Sequence, residues 1–297
     1  MKMESKKYNG KVILFGEYSM IFGADALLVP YRDASAEWDF CSKNPDYKTI
    51  SSNRSLNKFL SYLKKNDFDD VLELSSFEED IKSGLYLKSD IPSGYGLGSS
   101  GALVAAVYDH YGKKKDLNPL VLKSIFAKME NCFHSSSSGN DPLQCYFGQP
   151  FVISKDGFKL LYNDFLIPEI NVFLIDSGIK SKTGPLVSYF KECRNDAKYM
   201  NIFENEYVPC VKRCIDTMIF GVTDAFFTVA DELSDLQMRL FKPMIPESIM
   251  PLFAAARNDR RFCIKISGSG GGGFFIAFTK DESIDIQNKF PVRKLLN

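Results

Sequence analysis

Histidine is scarce in this 297-residue sequence: His110 and His134 are the only two, which leaves little room for a metal site or a triad built on imidazoles. An excess of charge is missing too, because 37 basic residues balance 37 acidic ones. No overall field therefore draws the chain toward nucleic acid or an anionic membrane, and a small-molecule partner fits better. Apolar runs stop well short of a bilayer span, and MKMESKKYNGK passes into a strand pattern without a signal-peptide core, which predicts a cytoplasmic protein. The seven cysteines are odd in number and lack CxxC or zinc spacing, so reduced, mostly buried thiols are expected. Cys210 and Cys214 share a helical face, but metal binding is not expected there. The GxxxxGK[ST] pattern is absent as well, which excludes the common P-loop.

What is present reads as an ordinary globular protein of mixed secondary structure. At this length a single core commonly divides, and the division is expected between residues 161 and 170, giving segments 1–165 and 166–297. Residues 11–15 (KVILF), 26–29 (ALLV), 36–40 (AEWDF) and 84–91 read as strands in a β-rich opening. Leu56, Phe59, Leu60 and Leu63 recur at helical spacing, with Ser55 placed to cap them. KKNDFDD and SSFEED read as polar loop or solvated helix.

Asn118 and Pro119 form an N-cap and first-turn pair for a helix whose apolar stripe carries Val121, Ile125, Phe126, Met129 and Phe133. Glu130 falls on that stripe. Either it reaches out to water or it turns inward, where an ionised carboxylate needs a cation or donors. HSSSSGNDP then predicts a short structured turn ahead of a strand over 146–153. Residues 171–176 (NVFLID) read as a strand, and helical stripes follow over 207–220, 224–241 and 249–256. Two apolar strands, beginning at Phe262 and Gly273, bracket SGSGGG, so those glycines belong to a strand connection rather than a linker.

The stretch IPSGYGLGSSGAL, residues 91–103, runs a glycine-rich turn into a helix. Gly94, Gly96 and Gly98 can adopt positive φ and bring amides close to a ligand, and Ser99 and Ser100 add hydroxyls at the helix start. Alone, the segment fits a capped strand-to-helix turn or a phosphate cradle. The wider set of parts favours phosphoryl transfer: this cradle, a lysine on the first strand (Lys11), the carboxylates Glu130 and Asp141, and a second glycine loop.

GKVILFGEY (10–18), IPSGYGLGSSGAL and KISGSGGGG (265–273) resemble, in order, the three motifs of the GHMP kinase superfamily, which includes galactokinase, homoserine, mevalonate and phosphomevalonate kinases. The spacing of Glu130, His134 and SSGND ending at Asp141 is most similar to the mevalonate kinase branch. The resemblance implies a two-domain α+β / α/β fold, with an N-terminal ATP-binding domain, a ferredoxin-like α+β C-terminal domain and the active site between them. It implies ATP held by Gly94, Tyr95, Gly96, Leu97, Gly98, Ser99 and Ser100, Mg2+ ligated by Ser100 and Glu130, Asp141 as catalytic base and Lys11 as its cation. Glu17, Tyr18, His134 and Thr183 would face the substrate, mevalonate or a related hydroxy acid, and Gly268 to Gly273, with Gly268, Gly270 and Gly271 foremost, would pack against the phosphate loop and support it. A homodimer is a further possibility of the family. Three departures stand out: Tyr18 replaces the histidine of GEH and matches the GEY of phosphomevalonate kinases, Ser137 replaces proline, and Pro142 follows Asp141. Two other readings remain open: a phosphomevalonate acceptor, and a ligand-sensing protein without catalysis.

Overall fold

The computed structural model describes residues 6–41, 44–115, 117–134, 136–161, 169–181, 183–259, 262–284 and 290–296. The expected domain division falls largely outside them. Two compact units are defined: one comprises the chain up to Lys11, Pro30–Ser93 and Leu97–Gly148, and the other Val12–Val29, Gly94–Gly96 and the chain from Gln149 onward. Strands β1 (Tyr8–Phe15) and β2 (Ala26–Phe40) each begin in one unit and end in the other.

In the first unit α1 (Tyr47–Lys65) and α2 (Leu74–Lys82) precede β3 (Leu85–Ser89), which pairs antiparallel with the second half of β2. Helices α3 (Ser99–Tyr111), α4 (Pro119–Glu130) and α5 (Asn140–Phe147) follow. The expected stripe Leu56, Phe59, Leu60 and Leu63 is buried. The helix nevertheless starts well before Ser55, at the cap Asp46, whose carboxylate accepts from the Thr49 amide at 2.8 Å. Its first turns are held by polar side chains, Ser52 donating to the Leu87 carbonyl and Asn53 to the Ile81 and Leu85 carbonyls, so apolar spacing could not reveal them. SSFEED is helical for the complementary reason: Leu74, Phe77 and Ile81 are buried on one side of α2.

Two further expectations are corrected. The buried side of α4 is Leu122, Phe126, Met129 and Glu130, while Val121 is half exposed. The strand expected over 146–153 is only β4 (Phe151–Ile153); its apolar start, through Phe147, is the end of α5, stopped by Gly148 in the left-handed region. Helix α3 is buried on nearly every face from Gly101 to Tyr108, so it forms the centre of this unit.

The second unit has two antiparallel sheet portions. The first half of β2 pairs with β4, and β4 with β5 (Phe158–Leu160). The other sheet includes β6 (Asn171–Asp176), after which come α6 (Thr183–Cys193), α7 (Ala197–Ile202), α8 (Val208–Phe220), α9 (Thr223–Leu240) and α10 (Met250–Asp259). It is completed by β7 (Phe262–Ile266), β8 (Phe274–Thr279) and β9 (Val292–Leu296), in the order β7-β8-β6-β9. Strands β7 and β8 are buried along their whole length, as the continuous apolar runs predict. Tyr18, Phe190, Phe203, Tyr207 and Phe241 form an aromatic cluster in this unit, with neighbouring ring centroids about 5 Å apart.

Candidate active site

The first unit gathers the charged residues. Gly98, at φ 76°, caps α3, and the first amides of that helix have no acceptor within it. Lys11 crosses directly over Gly98. Its amide donates to the Leu97 carbonyl at 2.9 Å, and a β-carbon on Gly98 would lie 2.8 Å from Lys11 Cγ. The side chain is thus buried along its stem, and Nζ ends 2.9 Å from Oδ2 of Asp141, which is 31% exposed. Asp141 lies in the first turn of α5, where the Gly139 cap abuts the Lys123 carbonyl too closely for any side chain. Helix α5 also packs on α3 across Gly101, whose β-carbon would come 2.8 Å from the Asp141 carbonyl carbon. Two glycines therefore place the carboxylate beside the start of α3.

Glu130 turns inward and is 3% exposed. Its carboxylate accepts from Ser100 Oγ at 2.8 Å and from Ser137 Oγ at 2.5 Å. Burial pushes its pKa up to about 7, with the neighbouring Asp141 charge adding to the effect; the two hydroxyls and Lys11 pull the other way. With Glu130 ionised, the one proton of Ser100 goes to it, so the 3.0 Å contact from His134 Nε2 to Ser100 Oγ is donated by the imidazole. The serine hydroxyl and this carboxylate are hard oxygen donors, and the carboxylate lacks a full counter-charge. Among the described residues no three of His, Cys, Asp and Glu converge to cage a metal. That set fits Mg2+, which takes one or two protein oxygens and completes its shell with phosphates and water.

Ser99 is the first residue of α3, in the first unit, and the second unit holds the remaining predicted residues. Gly94 and Gly96 have φ of 82° and 73°. Within the 268–273 loop it is Gly273 that meets this stretch: its β-carbon would fall 3.0 Å from the Tyr95 carbonyl, while Gly270 and Gly271 abut Met244 and Leu186. The amides of Gly271 and Gly273 are spent on the Met244 and Ile179 carbonyls, both at 2.6 Å, which makes this loop a support rather than a cradle.

The expectation that Glu17 and Tyr18 face the substrate is corrected. Glu17 is sealed in an ion pair with Lys265 at 2.5 Å, the two side chains 0% and 2% exposed. Tyr18 sits at φ 61° with its ring in the aromatic cluster and its hydroxyl donating to the Ser269 carbonyl at 2.7 Å. Burial raises the pKa of both groups. Thr183 opens α6, but its side chain lies outside the described residues. Sequence reasoning missed Ser137, Lys265 and the serines Ser177 and Ser181. Of these, Lys265 carried a signal, being the one charged residue in the apolar strand FCIKI.

Residues 58–149 match the family model described as GHMP kinases N terminal domain. Over that segment the chain is similar to the N-terminal domain of the GHMP kinases. The resemblance expected from the three motifs is borne out. The mevalonate kinase of Thermococcus onnurineus is 24% identical over 310 residues, covering 95% of this chain and 91% of the relative. The crystal structure of Methanococcus jannaschii mevalonate kinase aligns with a TM-score of 0.67 and 16% identity over 100% of this chain and 99% of its own. Streptococcus pneumoniae phosphomevalonate kinase, solved with phosphomevalonate and AMPPNP, aligns with a TM-score of 0.62 and 18% identity over 94% and 93%. The mixed α+β fold of the GHMP kinases is therefore the fold of this chain. All the predicted ATP- and metal-side residues from Leu97 onward fall within the matched segment.

Proposed function

We propose that this chain is a kinase that transfers the γ-phosphoryl group of ATP to the primary hydroxyl of mevalonate, a step of isoprenoid precursor synthesis. The observation that carries the reading is the 2.9 Å Lys11–Asp141 pair, in one unit with the Ser100–Glu130 contact at the glycine-capped start of α3. The names of the relatives support the same acceptor. Residues 1–165 supply nucleotide binding and 166–297 the C-terminal domain, with Thr183 on the acceptor side.

The amides of the 94–100 loop and of the first turn of α3 receive the phosphates. Asp141 accepts the proton of the acceptor hydroxyl as its oxygen bonds to Pγ, the bond from Pγ to the β,γ-bridging oxygen breaks, and ADP leaves. Lys11 holds Asp141 in one orientation and offsets the negative charge that gathers there. Ser100 and Glu130 would hold Mg2+, which when bound neutralises phosphate charge. His134 orients the Ser100 hydroxyl.

A phosphomevalonate acceptor is the second reading, favoured by Tyr18 in GEY. It calls for additional cations at the acceptor, for which Lys180, Lys182 and Arg194 are the candidates; Arg194 is stacked on Phe22, its guanidinium 5.0 Å from the ring centre, the stem of Lys180 lies beside Gly94, and Lys182 lies outside the described residues. A sensing role without chemistry would not need Lys11, Glu130 and Asp141 together, and all three are present. The test is ATP turnover with mevalonate, phosphomevalonate, homoserine and galactose, using the natural chain and Asp141→Asn. Turnover with mevalonate is expected, reduced roughly 10³-fold in the variant with ATP affinity retained, as for loss of a general base. Turnover confined to phosphomevalonate moves the assignment to the second reading, and near-normal turnover by Asp141→Asn removes Asp141 from the chemistry.

A further inference from the structure

The turn after β6, SGIKS at residues 177–181, lies outside the three motifs, yet it is bonded to both glycine-rich stretches of the second unit. Ser177 Oγ donates to the Gly273 carbonyl at 2.7 Å, and the Gly273 amide returns to the Ile179 carbonyl at 2.6 Å. Ser181 goes further and touches both stretches at once. Its hydroxyl donates to the Gly270 carbonyl at 2.6 Å, 3.3 Å from Ser269 Oγ, while its amide donates to the Gly94 carbonyl at 3.1 Å. Gly94 is where the phosphate loop begins, in the left-handed region, with the stem of Lys180 alongside it.

We infer that Ser181 is a positioning residue for nucleotide binding: its hydroxyl, anchored on the 267–273 loop, aims its own amide at Gly94 and so sets where the phosphate loop starts. The inference rests on the kinase reading. A loop that binds phosphate through backbone amides must have those amides placed before the ligand arrives, and a glycine-rich chain has too many accessible conformations to hold itself. The 267–273 loop can serve as the anchor because its amides are already committed to Met244 and Ile179. Substituting alanine removes the hydroxyl but leaves the amide, so the variant separates aim from contact.

Two measurements on the full chain test this, each on the natural protein, Ser181→Ala and Ser181→Thr. The first is hydrogen exchange of the residue-181 amide without nucleotide, corrected for intrinsic rate. The second is equilibrium binding of ATP, read together with KM for ATP and kcat. Ser181→Ala is expected to exchange at least about tenfold faster at position 181 and to weaken ATP binding and raise KM for ATP by about tenfold, with kcat and Tm little changed. Ser181→Thr, which keeps the hydroxyl, should stay within about threefold of the natural chain in all of these. Unchanged exchange in Ser181→Ala overturns the tether. Faster exchange with unchanged ATP affinity overturns its role in nucleotide binding, as does a lowered kcat or Tm in place of the KM effect. A natural chain that binds no ATP sinks the kinase reading itself, and the inference with it.

Discussion

Lys265 and Glu17 carry a high electrostatic stake in the second unit. Two fully buried charges are costly apart and tolerable together, and Lys265 secures itself further by donating to the Ile266 carbonyl at 2.6 Å. Lys265→Met should therefore lower unfolding free energy by about 3–5 kcal/mol, the usual cost of stranding one buried partner. Glu17→Gln in the same chain should recover part of that loss, because no charge is then left unpaired. Urea unfolding of the three proteins decides it; a single variant as stable as the natural chain would show that the pair bears no such load. His110 supplies a separate expectation about pH. It is partly buried against Tyr111, and desolvation lowers its pKa below the ordinary 6.5. The unfolded chain then binds the proton more readily at this site, so the contribution of His110 to stability falls as pH drops below about 6.5 and keeps falling until the lowered folded-state pKa is passed, opposite in sign to that of Glu130, whose pKa is raised to about 7. His110→Gln should flatten that part of the stability–pH curve, measured by urea midpoints from pH 7 to pH 5; an unchanged slope would assign it to other groups.

At the scale of elements, the site depends on how closely three short helices approach one another. Helix α3 is apolar all round and cannot shift without exposing that surface, so it acts as the fixed part. Helices α4 and α5 bring Glu130 and Asp141 to it, and Gly101 is what lets α5 come near. Adding a methyl there places it 2.8 Å from the Asp141 carbonyl carbon and 2.9 Å from Pro142 N, both of them backbone atoms that cannot swing aside. Gly101→Ala should displace the first turn of α5 and its carboxylate by a few tenths of an ångström or more. Because positioning of the base is what suffers, kcat is expected to drop at least about tenfold, with KM for ATP changed much less. Equal losses in both would mean instead that the phosphate end of α3 had moved. The same helices show why part of the pattern was illegible. The first turns of α1 and the whole of α5 have no clean apolar period, the former because its contacts with β3 are made by the polar side chains of Ser52 and Asn53 and the latter because glycine caps rather than apolar spacing set its ends.

Over the whole molecule, the sequence by itself determined the kinds of chemistry available: no histidine cluster, no P-loop lysine, balanced charge, and glycine-rich turns where backbone must approach closely. It also determined that Glu130 would lie on an apolar helix side and that Lys11 would sit in a buried strand, since periodicity is a local property that the chain carries in every conformation. Tertiary structure alone decided the partners. Ser100 reaches Glu130 across 30 residues, Lys265 reaches Glu17 across 248, and Ser181 reaches Gly270 across 89. A hydrogen bond depends on positions fixed to a few tenths of an ångström, and no local pattern specifies that between distant segments. For that reason Tyr18 and Glu17, which the motif presents as substrate-side residues, are buried as supports, while an unremarked serine after β6 joins the two glycine loops.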